Sequence, residues 1–313
     1  MSSLAPTAMP KRLKTYAWLA KVDVPDLWLG IPLAWSLLEP GVRTQPRTLV
    51  LILLCVVAVV GGSAGAVALD DVQGTRDGSD AINYSRAQAA PRKRYRKPLL
   101  DGALAEGQAL RFGVAAGVLS LAAQVAAAAI VGFRPLWLVV AAPVLSLAVL
   151  QYSFGLKLSY LVTGAGELTL ATGQASTVLF PYALVTGGVT DAVAAESAVL
   201  GLWMVLIAMC SNTHDAAGDR RAGRATIAAR TPPLFNRVAI ATTFGAAFLV
   251  AAGGLWLGLL SPRLLLVFVP VWLLQLRLLY VGVSRNEWLT SRSLGFLAFR
   301  VGVAGLFVLQ ALA

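Results

Sequence analysis

The chain alternates between long apolar runs and short polar segments. Residues 49–69 hold no charged side chain, and about 20 such residues are what a helix needs to cross the hydrocarbon core of a bilayer. The pattern recurs and predicts nine spans: residues 24–38, 49–69, 109–131, 136–152, 161–186, 194–210, 238–256, 264–280 and 294–312. Pro25 and Pro32 make the first an irregular helix, which is tolerable where neighbours pack against it. The third is rich in alanine, which lets helices approach closely. The fifth is interrupted by Gly164, Gly166, Gly173 and Pro181. It also carries Glu167, Thr169, Thr172, Gln174 and Ser176, too polar to face lipid on every side.

The expected fold class is therefore all-α, a polytopic membrane protein. A tail at residues 1–20, loose at its start, precedes a single transmembrane domain at 21–313. Polar loops at 70–107 and 211–237 interrupt that domain.

Composition agrees with this reading. Charged residues make up 13% of the chain, against roughly a quarter in soluble domains, and the mean hydropathy is +0.73. A net charge of +11 could suggest nucleic acid, but the charges sit mostly in the segments between apolar runs, where they report topology. With the N-terminus cytoplasmic, the inner segments hold 21 of the 26 Lys and Arg residues. The outer loops hold Arg43, Arg47, Arg134 and Arg263, and Arg300 lies inside the ninth span. The asymmetry supports the span count and the orientation together. The start of the chain shows no cleavable signal pattern. Cys55 and Cys210 both fall in apolar runs and read as small buried side chains.

Candidate chemistry lies at the ends of two spans. Asp70, Asp71, Asp77 and Asp80 follow the second, and His214, Asp215 and Asp219 follow the sixth. Both clusters then face the cytoplasm. Carboxylates at membrane depth usually face a polar cavity and have a partner. Asp215 and Asp219, four residues apart, share one helix face, where they repel unless a cation lies between them. An oxygen-only donor set with a single histidine fits Mg²⁺ better than zinc or copper.

Arg76, the basic run from Arg92 to Lys97, and Arg220, Arg221, Arg224 and Arg230 flank the clusters. The implied substrate is an anion with a lipid-soluble tail, and a prenyl diphosphate fits. Plainer readings apply to several of these residues. Asp77 suits a solvated turn, the basic run a topology signal, and His214 a cavity lining or hydrogen-bond partner. Trp18, Trp28 and Trp35 suit interface anchors. A transporter would show paired internal repeats, which are not evident here.

At these residues the chain resembles the UbiA superfamily of intramembrane prenyltransferases. The stretch Asp70-Asp71-Val72-Gln73-Gly74-Thr75-Arg76-Asp77-Gly78-Ser79-Asp80 is similar to the first acidic motif of its menaquinone-pathway-like branch. Asn212, Asp215 and Asp219, followed by Gly223, Arg224, Thr226 and Arg230, are similar to the second, with Arg224 in place of lysine. Tyr152-Ser153, Lys157 and Gly166-Glu167 resemble the segment between them.

The resemblance implies nine transmembrane helices around a central cavity. It implies Mg²⁺ on Asp70, Asp71, Asp80, Asp215 and Asp219, and catalytic roles for Asp71, Asp215, Asp219, Tyr152 and His214. Lys157, Arg220, Arg224, Arg94 and Asn212 would hold a diphosphate. Two departures bear on the reaction. Position 70 is Asp instead of Asn, and position 74 is Gly where prenyltransferases carry Asp. Gly74 resembles the UbiA-type terpene cyclases, so the expected activity is cyclisation of geranylgeranyl or farnesyl diphosphate. The alternative is prenyl transfer to an aromatic or other lipophilic acceptor, with His214, Tyr84 or Tyr152 placing it. The expected surroundings are membrane lipid, with no nucleic-acid partner.

Overall fold

The computed structural model describes residues 11–85 and 94–312. Arg86, Arg92 and Lys93 of the basic loop, and the start of the tail, lie outside the described residues. Among the described residues every regular element is helical. The principal helices are α1 (Lys11–Leu19), α2 (Gly30–Ser36), α3 (Pro46–Arg76), α4 (Glu106–Ile130), α5 (Leu136–Leu150), α6 (Ala165–Thr186), α7 (Asp191–Ala222), α8 (Pro233–Trp256), α9 (Leu265–Leu279) and α10 (Trp288–Ala311).

Seven of these are long and apolar enough to cross a membrane, α9 being extended by flanking turns to Pro262–Ser284. The other two expected spans are shorter. Residues 24–38 form a 3₁₀ turn at Pro25–Leu27 followed by the seven-residue α2, because Pro25 cannot supply a helical N–H donor. The expected fourth span is the fifteen-residue α5. The tail is not loose throughout, since α1 packs across the end of α3. There Leu19 joins Ala68, Val72 and Ala109, and the Tyr16 and Phe112 rings are 5.4 Å apart.

The segments expected as loops at 70–107 and 211–237 begin as continuations of α3 and α7, so Asp70 and Asp71 stand on helix, as do Asp215 and Asp219, whose spacing already implied it. The 31 residues of α3 extend about 46 Å at 1.5 Å per residue, against about 30 Å of hydrocarbon. The helix is therefore longer than the hydrocarbon is thick, and its last turns carry Asp70 and Asp71. The 32-residue α7 runs likewise through Asp215 and Asp219. It begins at Thr190, whose hydroxyl accepts from the Val193 N–H at 3.3 Å. It ends at Gly223, whose left-handed φ of 78° lets its own N–H turn back onto the last carbonyls.

Helix α7 is the most buried span and sits against α6, α8 and α10. Trp203, Phe268 and Phe299 from α7, α9 and α10 meet in the core with Leu33 of α2. The outer faces of the bundle expose Leu53, Val118, Leu249 and Leu266, apolar side chains suited to lipid. Because lipid is as apolar as these side chains, helix association rests on close packing. At Gly65 a Cβ would stand 2.9 Å from the Gly113 carbonyl oxygen, so α3 and α4 touch backbone to backbone. Ser120 reinforces the contact by donating to the Ala58 carbonyl at 2.6 Å.

Candidate active site

The end of α3 turns sharply at Gly78, which has a left-handed φ of 74°, into the short helix Ser79–Asn83. Asp77 closes the turn by accepting from the Ser79 N–H at 2.9 Å. It also accepts a short hydrogen bond from the Tyr160 hydroxyl. Asp77 is thus a turn residue, as its sequence suggests, but half-buried and tied to a distant segment. Burial opposes its charge, while the Tyr160 and Ser79 donors outweigh that and hold its carboxyl below the usual carboxylate range.

The turn brings Asp80 back over α3. A Cβ at Gly74 would lie 2.7 Å from the Asp80 carboxyl carbon, so the carboxylate occupies the space that a side chain at 74 would need. Asp71 and Asp80 share one cation. The Lys97 Nζ donates to Asp71 Oδ1 at 2.7 Å and to Asp80 Oδ2 at 2.8 Å. All three side chains are at least nine-tenths buried. The Lys21 ammonium approaches Asp71 Oδ1 at 3.5 Å.

Burial works against the Lys97 charge, but the two carboxylates more than offset it, so the ammonium is held protonated well above the ordinary lysine range. Burial pushes the Asp80 carboxyl up to about 6. Asp71 and Asp70 act in the same direction and Lys97 pulls against them. Asp71 Oδ2 is buried and has no hydrogen-bond partner among the described residues.

The second cluster is brought against the first by two contacts. Gly218 of α7 packs so tightly on Asn83 that a Cβ there would collide with the Asn83 carboxamide. Arg224, just beyond α7, donates to Asp70 Oδ1 at 3.0 Å and to the Ser153 hydroxyl at 3.4 Å. Its guanidinium lies over the Tyr160 ring, 5.4 Å from the centroid. Burial disfavours the Arg224 charge, and Asp70 chiefly restores it. Asp219 accepts from the Thr226 hydroxyl at 3.4 Å and lies within electrostatic reach of Arg224, Asp215 and Asp70. Asp70, Asp215, Asp219 and Arg224 therefore form one charged group.

Other expected site residues are placed differently. Asn212 donates to Glu167 Oε1 at 2.9 Å, and the Ile227 N–H donates to the same oxygen at 3.1 Å. Buried Glu167 thus ties α6 to α7 and to the segment after it. Arg94 binds Asp101 at 2.8 Å and the Tyr84 carbonyl at 3.0 Å. Arg220 donates to the Ala229 carbonyl at 3.1 Å. Both have structural partners. Lys157 lies over the Tyr160 ring at 5.6 Å and lines a groove with Gln73, Arg76 and Asp77. Tyr152, half-buried, packs against Gly166. His214 is half-buried beside Asp215 on α7.

Sequence reasoning missed Tyr160, which no motif marks, and treated Lys97 mainly as a topology charge. Its one distinguishing signal is its place next to Pro98, after the Arg94–Arg96 turn. Among the described residues, no group of three or more His, Cys, Asp or Glu side chains converges as a ready-made metal site. The donors do suit Mg²⁺: all are oxygens, and Asp71 keeps one buried oxygen unpartnered. A cavity of about 210 Å³ lies between α3, α4, α5, α6 and α7, its wall including Leu54, Ala58, Ala123, Phe180 and Met204.

The fold and the site define a polytopic helical membrane protein whose two acidic clusters, from the ends of α3 and α7, are joined by Arg224 and by the Asn83–Gly218 contact. The sequence matches the UbiA prenyltransferase family over residues 27–300, and the chain belongs to that family. No curated protein matches it by sequence. Among solved structures it is similar to a digeranylgeranylglyceryl phosphate synthase, with 14% identity and a TM-score of 0.66, covering 97% of this chain and 100% of the other. It is also similar to a UbiA homolog from Aeropyrum pernix K1, with 16% identity and a TM-score of 0.65 over 96% and 99% of the two chains. A UbiA homolog from Archaeoglobus fulgidus bound to GPP and Mg²⁺ gives 15% identity and a TM-score of 0.62 over 93% and 99%.

Proposed function

We propose that the protein is a Mg²⁺-dependent prenyltransferase that moves the prenyl group of a prenyl diphosphate onto a lipophilic acceptor. The observation that carries this reading is the junction of the two acidic clusters. The Asp70–Arg224 ion pair and the Asn83–Gly218 contact bring carboxylates and a buried guanidinium together, and an apolar cavity lies within the same bundle. The Archaeoglobus fulgidus homolog was solved with DMAPP and with GPP, each with Mg²⁺. That pairing of ligands supports the same substrate class here.

In this reading Asp70, Asp215, Asp219 and the unpartnered oxygen of Asp71 hold the divalent ion, which when bound stabilises the charge on the departing diphosphate. Arg224 and Lys157 bind the diphosphate oxygens. Tyr160 keeps Arg224 in place from its open side. The apolar cavity takes the prenyl chain and keeps water from the allylic carbon once the C–O bond weakens. Tyr152 and His214 border the reacting end and orient the acceptor. The broken first segment and α5 complete nine crossings, with the site facing the cytoplasm.

The expectation of a cyclase rested on Gly74. Its local packing accounts for that glycine, because the Asp80 carboxylate fills the space beside it. The family itself is one of prenyltransferases. Transfer is therefore preferred to cyclisation. The test is incubation of purified protein with Mg²⁺ and C10, C15 and C20 prenyl diphosphates, with and without an extract of membrane lipids and quinone precursors. Prenylated product that requires both the extract and Mg²⁺ is expected. A cyclic hydrocarbon or terpene alcohol formed without any acceptor would overturn the transfer reading in favour of cyclisation.

A further inference from the structure

Two acidic clusters at two helix ends offer room for two divalent ions, one beside each. The first cluster is already occupied by protein. Lys97 places its Nζ 2.7 Å from Asp71 and 2.8 Å from Asp80, bridging the two carboxylates as a metal would. The arrangement is built in at several levels. Asp80 reaches the lysine because residue 74 has no side chain to obstruct it.

The segment carrying Lys97 is pinned on both sides. Arg96 binds Asp23 at 2.6 Å, and the Tyr95 hydroxyl donates to the same carboxylate at 3.0 Å. Arg94 binds Asp101. The Tyr84 ring lies 5.3 Å from the ammonium, and Lys97 itself is 4% exposed. A lysine so enclosed lacks the water shell that would let it leave cheaply, and its departure would strand two buried carboxylates.

We infer that Lys97 is the resident cation of the first acidic cluster, filling the place between Asp71 and Asp80, so that one divalent ion rather than two serves the site. Asp80 is then the anchor of Lys97 and not a metal ligand, and Lys97 is a positioning residue that sets the charge and shape of the Asp71 side. This rests on the Mg²⁺ reading proposed above.

The test counts ions on the full-length protein in detergent, with Mn²⁺ as probe and inorganic diphosphate present. Equilibrium dialysis gives the number bound. Electron paramagnetic resonance separates a lone ion from an exchange-coupled pair. Wild type is expected to bind one Mn²⁺ with the spectrum of an isolated ion. Lys97→Met should bind a second, with coupling between the two, and Asp80→Asn should still bind one. Two ions on wild type would overturn the inference while leaving the Mg²⁺ reading intact. So would a folded Lys97→Met that still binds one, or loss of the ion in Asp80→Asn. No ion on wild type would instead remove the Mg²⁺ reading, and this inference with it.

Discussion

Asp71 and Asp215 have similar places in the sequence motifs but different surroundings, and single substitutions should separate them. Asp71 is fully buried, with two ammonium groups on one oxygen. Asp71→Asn removes a charge from a buried ion cluster, a change that costs about 3–5 kcal/mol when it strands a partner. Because Asp80 still faces Lys97, the lower end applies. The expected result is loss of turnover together with a clear fall in unfolding temperature in detergent. Half-buried Asp215 should lose turnover as Asn with a much smaller thermal effect. Equal thermal losses in the two variants would count against the Lys97 bridge as a stabilising feature. Arg224→Ala should act on binding. Its guanidinium pairs with Asp70 and, in the function proposed above, binds the diphosphate, so the KM for prenyl diphosphate should rise at least tenfold, about 1.4 kcal/mol. A kinetic assay that finds KM unchanged would remove Arg224 from the substrate site.

At the scale of elements, the site depends on how the short helix Ser79–Asn83 seats against α7. Gly218→Ala drives a methyl group into Asn83, and overpacking of this kind costs about 1–3 kcal/mol. Because the strain falls on the link between the acidic clusters, activity should drop further than stability does. Asn83→Ala in the same chain removes the obstructing carboxamide and should restore most of the activity. A double-mutant cycle reads this coupling directly, and strictly additive losses would show that the contact does not align the clusters.

The same link shows what the sequence could convey. The long spans were legible because lipid forces backbone groups to pair within helices, and an uncharged run such as residues 49–69 has few other fates. Residues 70–76 read as loop because Asp, Gln, Gly and Thr suggest water. They remain helical because Lys97 and Arg224, distant in sequence, supply the partners that water would otherwise provide. The convergence of Lys97, Tyr160 and Arg224 follows from tertiary packing and leaves no periodic trace. The break at Pro25 was foreseeable from the residue itself.

For the whole molecule, charge asymmetry and helix length make a joint claim about topology. If residues 24–38 and α5 both cross, the chain passes the membrane nine times, and the loop around Ser261 lies opposite the acidic site. If either segment turns back within the bilayer, the later loops change sides, and the basic loops after α7 and α9 would have to be translocated, against the positive-inside preference. The native thiols are only Cys55 and Cys210, so a cysteine-free background needs two substitutions, Cys55→Ala and Cys210→Ala. On that background, Ser261→Cys and Arg285→Cys place single exposed thiols on the two loops flanking the eighth expected span. A membrane-impermeant maleimide added to intact cells should label Ser261→Cys alone, and Arg285→Cys should react only after the membrane is opened. The reverse pattern would invert the proposed orientation and place the acidic site outside. Labelling of both from one side would mean that the intervening helix, Pro262–Ser284, does not cross. Either result would have to be reconciled with 21 of 26 basic residues gathered on what nine crossings make the inner face.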